Sequence, residues 1–222
     1  MCGRYAFSRI DKALLERLEA EGPDEAVEAR WNVAPGQEAP VLRQQAATRQ
    51  LEFMGWGFPR REGAGLIINA RAETAASLPA FRQAFAGQDG AGRCLVPLSG
   101  WYEWMKDARL RRPHFLRPTG AGPFLMAGLW TQAEQGPRFT LLTCPAAASI
   151  AHIHPRMPVV LPEHQWGAWL GLDGQDAQWF SRLCSWPQEE LECWEVGPQV
   201  NSVTEDHAGL LSRAACIQTS LF

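Results

Sequence analysis

No run of about 18 apolar residues occurs in the 222-residue sequence, so no membrane-spanning helix is read from it. The first dozen positions already hold Arg4, Arg9, Asp11 and Lys12 and lack the apolar region of a secretion signal. A cytoplasmic location is therefore expected. The six cysteines, at 2, 94, 144, 184, 193 and 216, include no Cys-x-x-Cys pair. Without a secretion signal this argues against a disulfide framework and against structural zinc. His152 and His154 stand two apart, which is not the spacing of a helical metal pair, and no metal or cofactor is expected. Lysine is almost missing: only Lys12 and Lys106 occur, and arginine carries the remaining positive charge. Arginine suits bidentate phosphate contacts, although a GC-rich coding bias would give the same composition. Repeats, low-complexity tracts and linkers are also lacking, so one domain over 1–222 is the expected count.

What is present fits a globular chain with a sizeable core, at 46% hydrophobic and 20% charged residues. The net charge of −3 conceals an asymmetry. Residues 1–157 carry 19 Lys+Arg against 15 Asp+Glu, whereas 158–222 carry 2 against 9. A polyanion can bind a local basic face on the first part despite the acidic total.

Read in order, residues 5–7 form a short strand and 11–21 a helix with Leu14, Leu15 and Leu18 on one face, closed by Gly22-Pro23. Strands follow at 40–45 and 50–56 around a polar turn. Met54-Gly55-Trp56-Gly57-Phe58-Pro59 places two aromatics among glycines that permit close approach of a ligand. Trp56 and Phe58 can stack on bases or pack in a core, and the segment alone leaves both open. Leu66-Ile67-Ile68-Asn69-Ala70-Arg71-Ala72-Glu73 is an apolar strand that delivers polar groups at its end, with helical stretches beginning at Glu73 and around 79–86. In Trp101-Tyr102-Glu103-Trp104 a carboxylate sits among bulky neighbours that would raise its pKa, unless it points to water. Strands are read at 113–118, 124–131 and 138–144, then a small-residue helix at 146–152. His154-Pro155-Arg156-Met157-Pro158 is a loop braced by two prolines. Beyond it come a strand at 159–161, a helix with Trp166, Trp169 and Leu170, another around 176–184, and strands near 191–196 and 214–217.

Cys2 adds a distinct chemistry. Removal of Met1 would leave a terminal residue with an α-amine of pKa about 8 and a thiol of about 8.5, both partly reactive near neutral pH. Together they can close on one aldehyde as a five-membered thiazolidine, or the thiol can act in acyl transfer with the amine as base.

Met-Cys-Gly-Arg at 1–4, Asn-Val-Ala-Pro at 32–35, Trp-Gly at 56–57, Asn-Ala-Arg-Ala-Glu at 69–73, Trp-Tyr-Glu-Trp at 101–104 and His-Pro-Arg-Met-Pro at 154–158 together resemble the SRAP (SOS response-associated peptidase) family of abasic-site shield proteins. The resemblance runs from residue 1 to about 161, with 162–222 completing the core. It implies an α+β fold: a single compact domain with a largely antiparallel, barrel-like β core flanked by short helices. It implies covalent capture of abasic sites in single-stranded DNA, including single-strand/duplex junctions, by a monomer without a membrane partner. By similarity, Cys2 would form the thiazolidine, Asn69 would hold the amine and sugar, Glu103 would serve as acid/base, and His154 would move protons. Arg4, Arg71 and Arg156 would hold phosphates, Thr143 would line the pocket, and Trp56 and Phe58 would stack or wedge at the junction. Two other classes remain open from the residues: a thiol autopeptidase or N-terminal-Cys amidotransferase, and a non-enzymatic single-strand-binding module with no need of Cys2.

Overall fold

The computed structural model describes residues 2–60, 62–106, 111–120, 122–171 and 191–214. Within them the chain forms β1 (Tyr5–Phe7), α1 (Lys12–Arg17), β2 (Ala20–Glu21), β3 (Arg30–Val33), β4 (Glu38–Gln45), β5 (Thr48–Trp56), β6 (Phe58–Pro59), β7 (Leu66–Ile67) and β8 (Asn69–Arg71). It continues through α2 (Ala72–Ala75), α3 (Arg82–Ala86), β9 (Ala91–Leu98), β10 (Gly100–Lys106), β11 (Arg111–Pro118), β12 (Phe124–Ala133), β13 (Gly136–Pro145), β14 (Arg156–Pro158), β15 (Val160–Leu161), α4 (Trp166–Leu170) and β16 (Leu191–Glu195). This is the expected α+β architecture, with mostly antiparallel sheets and short helices.

The larger sheet runs β14-β13-β12-β9-β4-β5-β2, and β13 also pairs with β5. That parallel pairing, Arg138 beside Gly55 and Phe139 beside Trp56, joins β13, β12, β9, β4 and β5 into a ring. Closure removes the unpaired edges that an open sheet leaves to solvent. The ring is filled by aromatics: Trp56 lies parallel to Phe139 with centroids 6.2 Å apart, and Tyr5 meets Trp56 edge-on at 5.3 Å. β9 is buried from Gly92 to Leu98 because α3 and α4 cover the face that the ring interior does not. The Trp169 indole N–H reaches the Cys94 carbonyl at 2.8 Å from that outer layer.

A second sheet, β16-β11-β10-β1-β3, leans on the ring. Side chains alternate across a strand, so each strand here serves two clusters. Tyr5, Phe7 and Trp101 join the main core, whereas Ala6 and Tyr102 join a smaller cluster with Phe115, Val196, Val200 and Leu210. Gly100 sits where the two sheets meet. A Cβ there would stand 2.2 Å from the Phe115 ring and 2.6 Å from the Leu116 carbonyl.

The 3-10 turn Pro198–Asn201 and the loop after it are tied to β3 by Asn32. This fully buried amide donates to the carbonyls of Val200, Ser202 and Glu205 at 3.3, 2.8 and 2.8 Å. Asp206 completes the joint by accepting from the Trp31 and Asn32 backbone N–H groups at 2.6 and 3.2 Å and from Arg30 Nε at 2.7 Å.

Two expectations need correction. Helix α1 stops at Arg17, because Glu19 turns to a positive φ of 51° and releases the chain into β2. Residues 146–152 form turns and no helix. Ala146 N–H bonds the Pro155 carbonyl at 3.0 Å, which pulls the segment into a loop closed by i→i+3 bonds such as Ile150 to Ala147. Of the strand expected at 214–217, residues 215–217 lie outside the described residues; just before it Arg213 bridges Val196, and Ala214 N–H bonds the Glu195 carbonyl at 2.8 Å. The helix expected around 176–184 also lies outside them.

Gly100→Ala should cost about 1–3 kcal/mol through overpacking, read as a lower urea midpoint with unchanged slope. Asn32→Ala removes the bonds to the Val200, Ser202 and Glu205 carbonyls, leaving Val200 its bond from Arg4, and should cost about 2–3 kcal/mol. In that variant, amide hydrogen exchange should accelerate first in residues 198–206.

Candidate active site

The first residues are placed by strand pairing. Tyr102 N–H donates to the Arg4 carbonyl at 2.9 Å, and Tyr5 faces Trp101 in the β1–β10 register. Trp101 and Glu103 are two apart on β10, so both side chains point to the main-core side, where Cys2 packs. Cys2 is fully buried. Among the described residues its thiol makes a long contact to the Arg4 carbonyl, 3.8 Å. From the opposite side β8 brings Asn69, whose Nδ2 donates to the Cys2 carbonyl at 2.8 Å. Asn69 is held in turn by parallel pairing with β13, opposite Leu141. Its Oδ1 is buried and has no hydrogen-bond partner among the described residues.

The electrostatics follow from burial. Glu103 is 3% exposed, and desolvation of its carboxylate raises the pKa to about 7. Burial pushes the Cys2 thiol far above its ordinary value, and the Glu103 charge adds to the shift, which marks the two groups as neighbours. The Tyr5 phenol is also buried without a partner among the described residues. Its pKa is raised first by burial and next by Cys2.

His154 and Arg156 lie on the short loop before and into β14. The Arg156 N–H and carbonyl oxygen both stand 3.0 Å from His154 Nδ1. A neutral ring with its proton on Nε2 accepts from the N–H; a protonated ring donates to the carbonyl. Arg156 forms a two-pronged ion pair with Glu73, with Nη2–Oε2 at 2.8 Å, and also donates to the Thr143 carbonyl and Oγ1. These bonds hold the Glu73 carboxyl below its ordinary range. Thr143 is buried, donates to the Ala70 carbonyl at 3.3 Å, and faces Arg71 across the β8–β13 pair. Arg71 itself is exposed. β13 therefore gathers Asn69, Arg71, Thr143 and Arg156 along one strand.

The aromatics of the Trp-Gly-Phe segment are not at the surface. Trp56 is fully buried, with its indole N–H bonded to the Ile68 carbonyl at 3.0 Å and its ring against Phe139. Phe58 is 4% exposed and packs on Phe81 at 6.2 Å. Both are core residues here, because barrel closure needs their bulk inside and leaves no ring face for a base. Trp104 takes the accessible position. It is partly exposed, and its indole N–H is fixed by Asn201 Oδ1 at 2.8 Å. With Gly3, Arg4, Pro35, Arg111 and Asn201 it lines an open cleft of about 590 Å³. Arg4 reaches across this cleft wall, donating to Asn32 Oδ1 at 2.9 Å and to the Val200 carbonyl at 2.7 Å.

Asn32, Trp104 and Asn201 were given no role from sequence. The first two stand inside Asn-Val-Ala-Pro and Trp-Tyr-Glu-Trp, so the motifs themselves held the signal. Asn201 lies in the acidic part of the chain, 97 residues from the indole it orients, with no local pattern to single it out.

The profile of the SOS response associated peptidase (SRAP) family matches residues 1–203. Abasic site processing protein YoqW of Bacillus subtilis (strain 168) is 29% identical over 217 residues, covering 91% of this chain and 95% of that one. Abasic site processing protein YedK of Escherichia coli (strain K12) is 28% identical, covering 95% and 99%. A crystal structure of a Bacteroides thetaiotaomicron protein shares the fold with a TM-score of 0.78 at 18% identity, covering 96% of this chain and all of the other. The match over nearly the whole length, on a chain whose Cys2, Asn69 and Glu103 meet in space, assigns it to the SOS response associated peptidase family.

Proposed function

We propose that this protein processes abasic sites in single-stranded DNA, including at single-strand/duplex junctions, by cross-linking to them through Cys2 once Met1 is removed. One observation carries the reading: the Asn69–Cys2 hydrogen bond fixes the start of the chain beside a buried carboxyl that titrates near neutrality. The names of the relatives point to the same lesion.

The ring-opened abasic sugar presents an aldehyde. The freed Cys2 amine adds to its carbonyl carbon, and the resulting carbinolamine loses water with a proton from Glu103. This leaves an iminium and the Glu103 carboxylate; the thiol adds to the iminium carbon and its proton returns to that carboxylate, to give a thiazolidine with a neutral ring nitrogen. The sum is aldehyde plus aminothiol to thiazolidine plus water. The raised thiol pKa fits this order: sulfur enters as a thiol after the imine is made, not as a free thiolate. The vacant Oδ1 of Asn69 suits an N–H of the new amine. His154, with Nδ1 bracketed by the Arg156 backbone, would pass protons through Nε2 during ring opening and reversal. Arg71 and Arg4 would meet phosphates, and Trp104 would offer the stacking face. Arg156 would act on phosphate while sharing its charge with Glu73. A thiol peptidase fits the site less well, because a thiol buried beside a carboxylate is poorly ionised.

Incubation with single-stranded DNA carrying one abasic site should give an SDS-resistant, protein-sized shift. Intact mass should show that Met1 is absent from the reactive species. Cys2→Ala should abolish the shift; an undiminished shift would refute the chemistry. Glu103 must be protonated to dehydrate the carbinolamine, so the cross-linking rate should fall as pH rises through about 7. Glu103→Gln should flatten that limb and slow the reaction by about a hundredfold. A limb that persists in the variant would assign the titration to another group.

A further inference from the structure

We propose a second binding site, unrelated to Cys2: the groove between the β6–β7 hairpin, the α2–α3 segment and the β12–β13 turn receives the C-terminal carboxylate of a partner peptide ending in an apolar residue, with Arg138 as its anchor. The groove encloses about 550 Å³ and is walled by Phe58, Pro59, Leu66, Ile67, Pro79 and Ala84. A volume of that order suits one or two side chains of a ligand. Leu78, one of the large apolar side chains left exposed, is the immediate neighbour of the Pro79 wall.

Arg138 also lines the groove, and its placement is built into the chain. Its Nε donates to the Gly57 carbonyl at 2.8 Å. Its guanidinium packs against Gly55, where a Cβ would stand 2.8 Å from Nη1 and 2.9 Å from Cζ. The same Gly-Trp-Gly-Phe-Pro segment thus supplies the bed for the cation and, through Phe58 and Pro59, part of the apolar wall. Nη1 and Nη2 have no hydrogen-bond partner among the described residues, and no carboxylate there lies within ion-pair distance of Arg138. Two oriented N–H donors at the end of an apolar trough match a planar carboxylate joined to a hydrophobic side chain.

Charge selects the source. Arg138 is the one cation among the groove-lining residues described, and Glu134 lies on the same lining. A nucleic-acid strand brings a phosphate with every nucleotide and would leave most of them unmatched. A peptide end brings one negative charge. Gln135 on the lining carries an amide that suits a preceding peptide group, whereas the amides of Gln83 and Gln132 already donate to Asp89 and to the Ala133 carbonyl.

The test uses the full chain and a fluorescein-labelled hexapeptide ending in Leu-Phe, as free acid and as C-terminal amide, followed by anisotropy. The acid should bind at least about tenfold more tightly than the amide. Arg138→Gln should erase that difference. Should Arg138→Gln disturb the fold, Ala80→Glu on the exposed lip should weaken the acid selectively by placing a like charge beside it. Cross-linking through Cys2 should be unchanged in both variants. Equal binding of acid and amide would overturn the proposal. So would phenylacetate competing as well as the peptide, which would make the groove a small-molecule site. A loss of affinity for undamaged single-stranded DNA on Arg138→Gln would likewise overturn it and assign the groove to nucleic acid.

Discussion

The pairing of β5 with β13 is the constraint on which the rest of the molecule depends. It is short, with two residues of register on each strand, and it is parallel in a sheet that is otherwise largely antiparallel. Its formation turns an open sheet into a ring and fixes both faces of β13. Inside, Phe139 meets Trp56 and the aromatic core forms. Further along the same strand, β8 docks in parallel and carries Asn69 to the Cys2 carbonyl. A long-range pairing of this kind forms only after loop closure has been overcome, and the site inherits its geometry from it.

The second theme is burial used to set chemistry. Alternation along β10 sends Trp101 and Glu103 to one side and Tyr102 to the other. Tyr102 is satisfied by the Trp31 carbonyl at 2.8 Å and serves packing. Glu103 sits in the desolvated side and therefore holds its proton near neutrality. The neighbouring thiol is driven the opposite way from what a nucleophilic cysteine alone would need. A thiol disfavoured as an anion and a carboxyl that keeps its proton near neutrality differ in charge from the thiolate and base of a nucleophilic cysteine pair.

Much of this was legible in the residues. Strand alternation around Glu103, the strand ending at Asn69 and the ordered series of short motifs all have local patterns, and the structure brings Cys2, Asn69 and Glu103 together. Trp56 was ambiguous for a physical reason: an aromatic between glycines looks the same whether the glycines admit a ligand or another part of the protein. Here they admit the Arg138 guanidinium on one side and Leu66 on the other. The turn at 146–152 was misread because helical propensity of small residues is weak against a loop tied at its ends. The role of residues 198–206 had no local signal at all, since every bond that gives it meaning spans well over a hundred positions or rests on a single indole.

That last tie has a consequence for the order in which the protein matures. Asn32 bonds a carbonyl 170 residues further along, and Arg4 bonds one 196 residues away. A nascent chain leaving the ribosome therefore exposes its beginning long before the segment that clamps it has been synthesised.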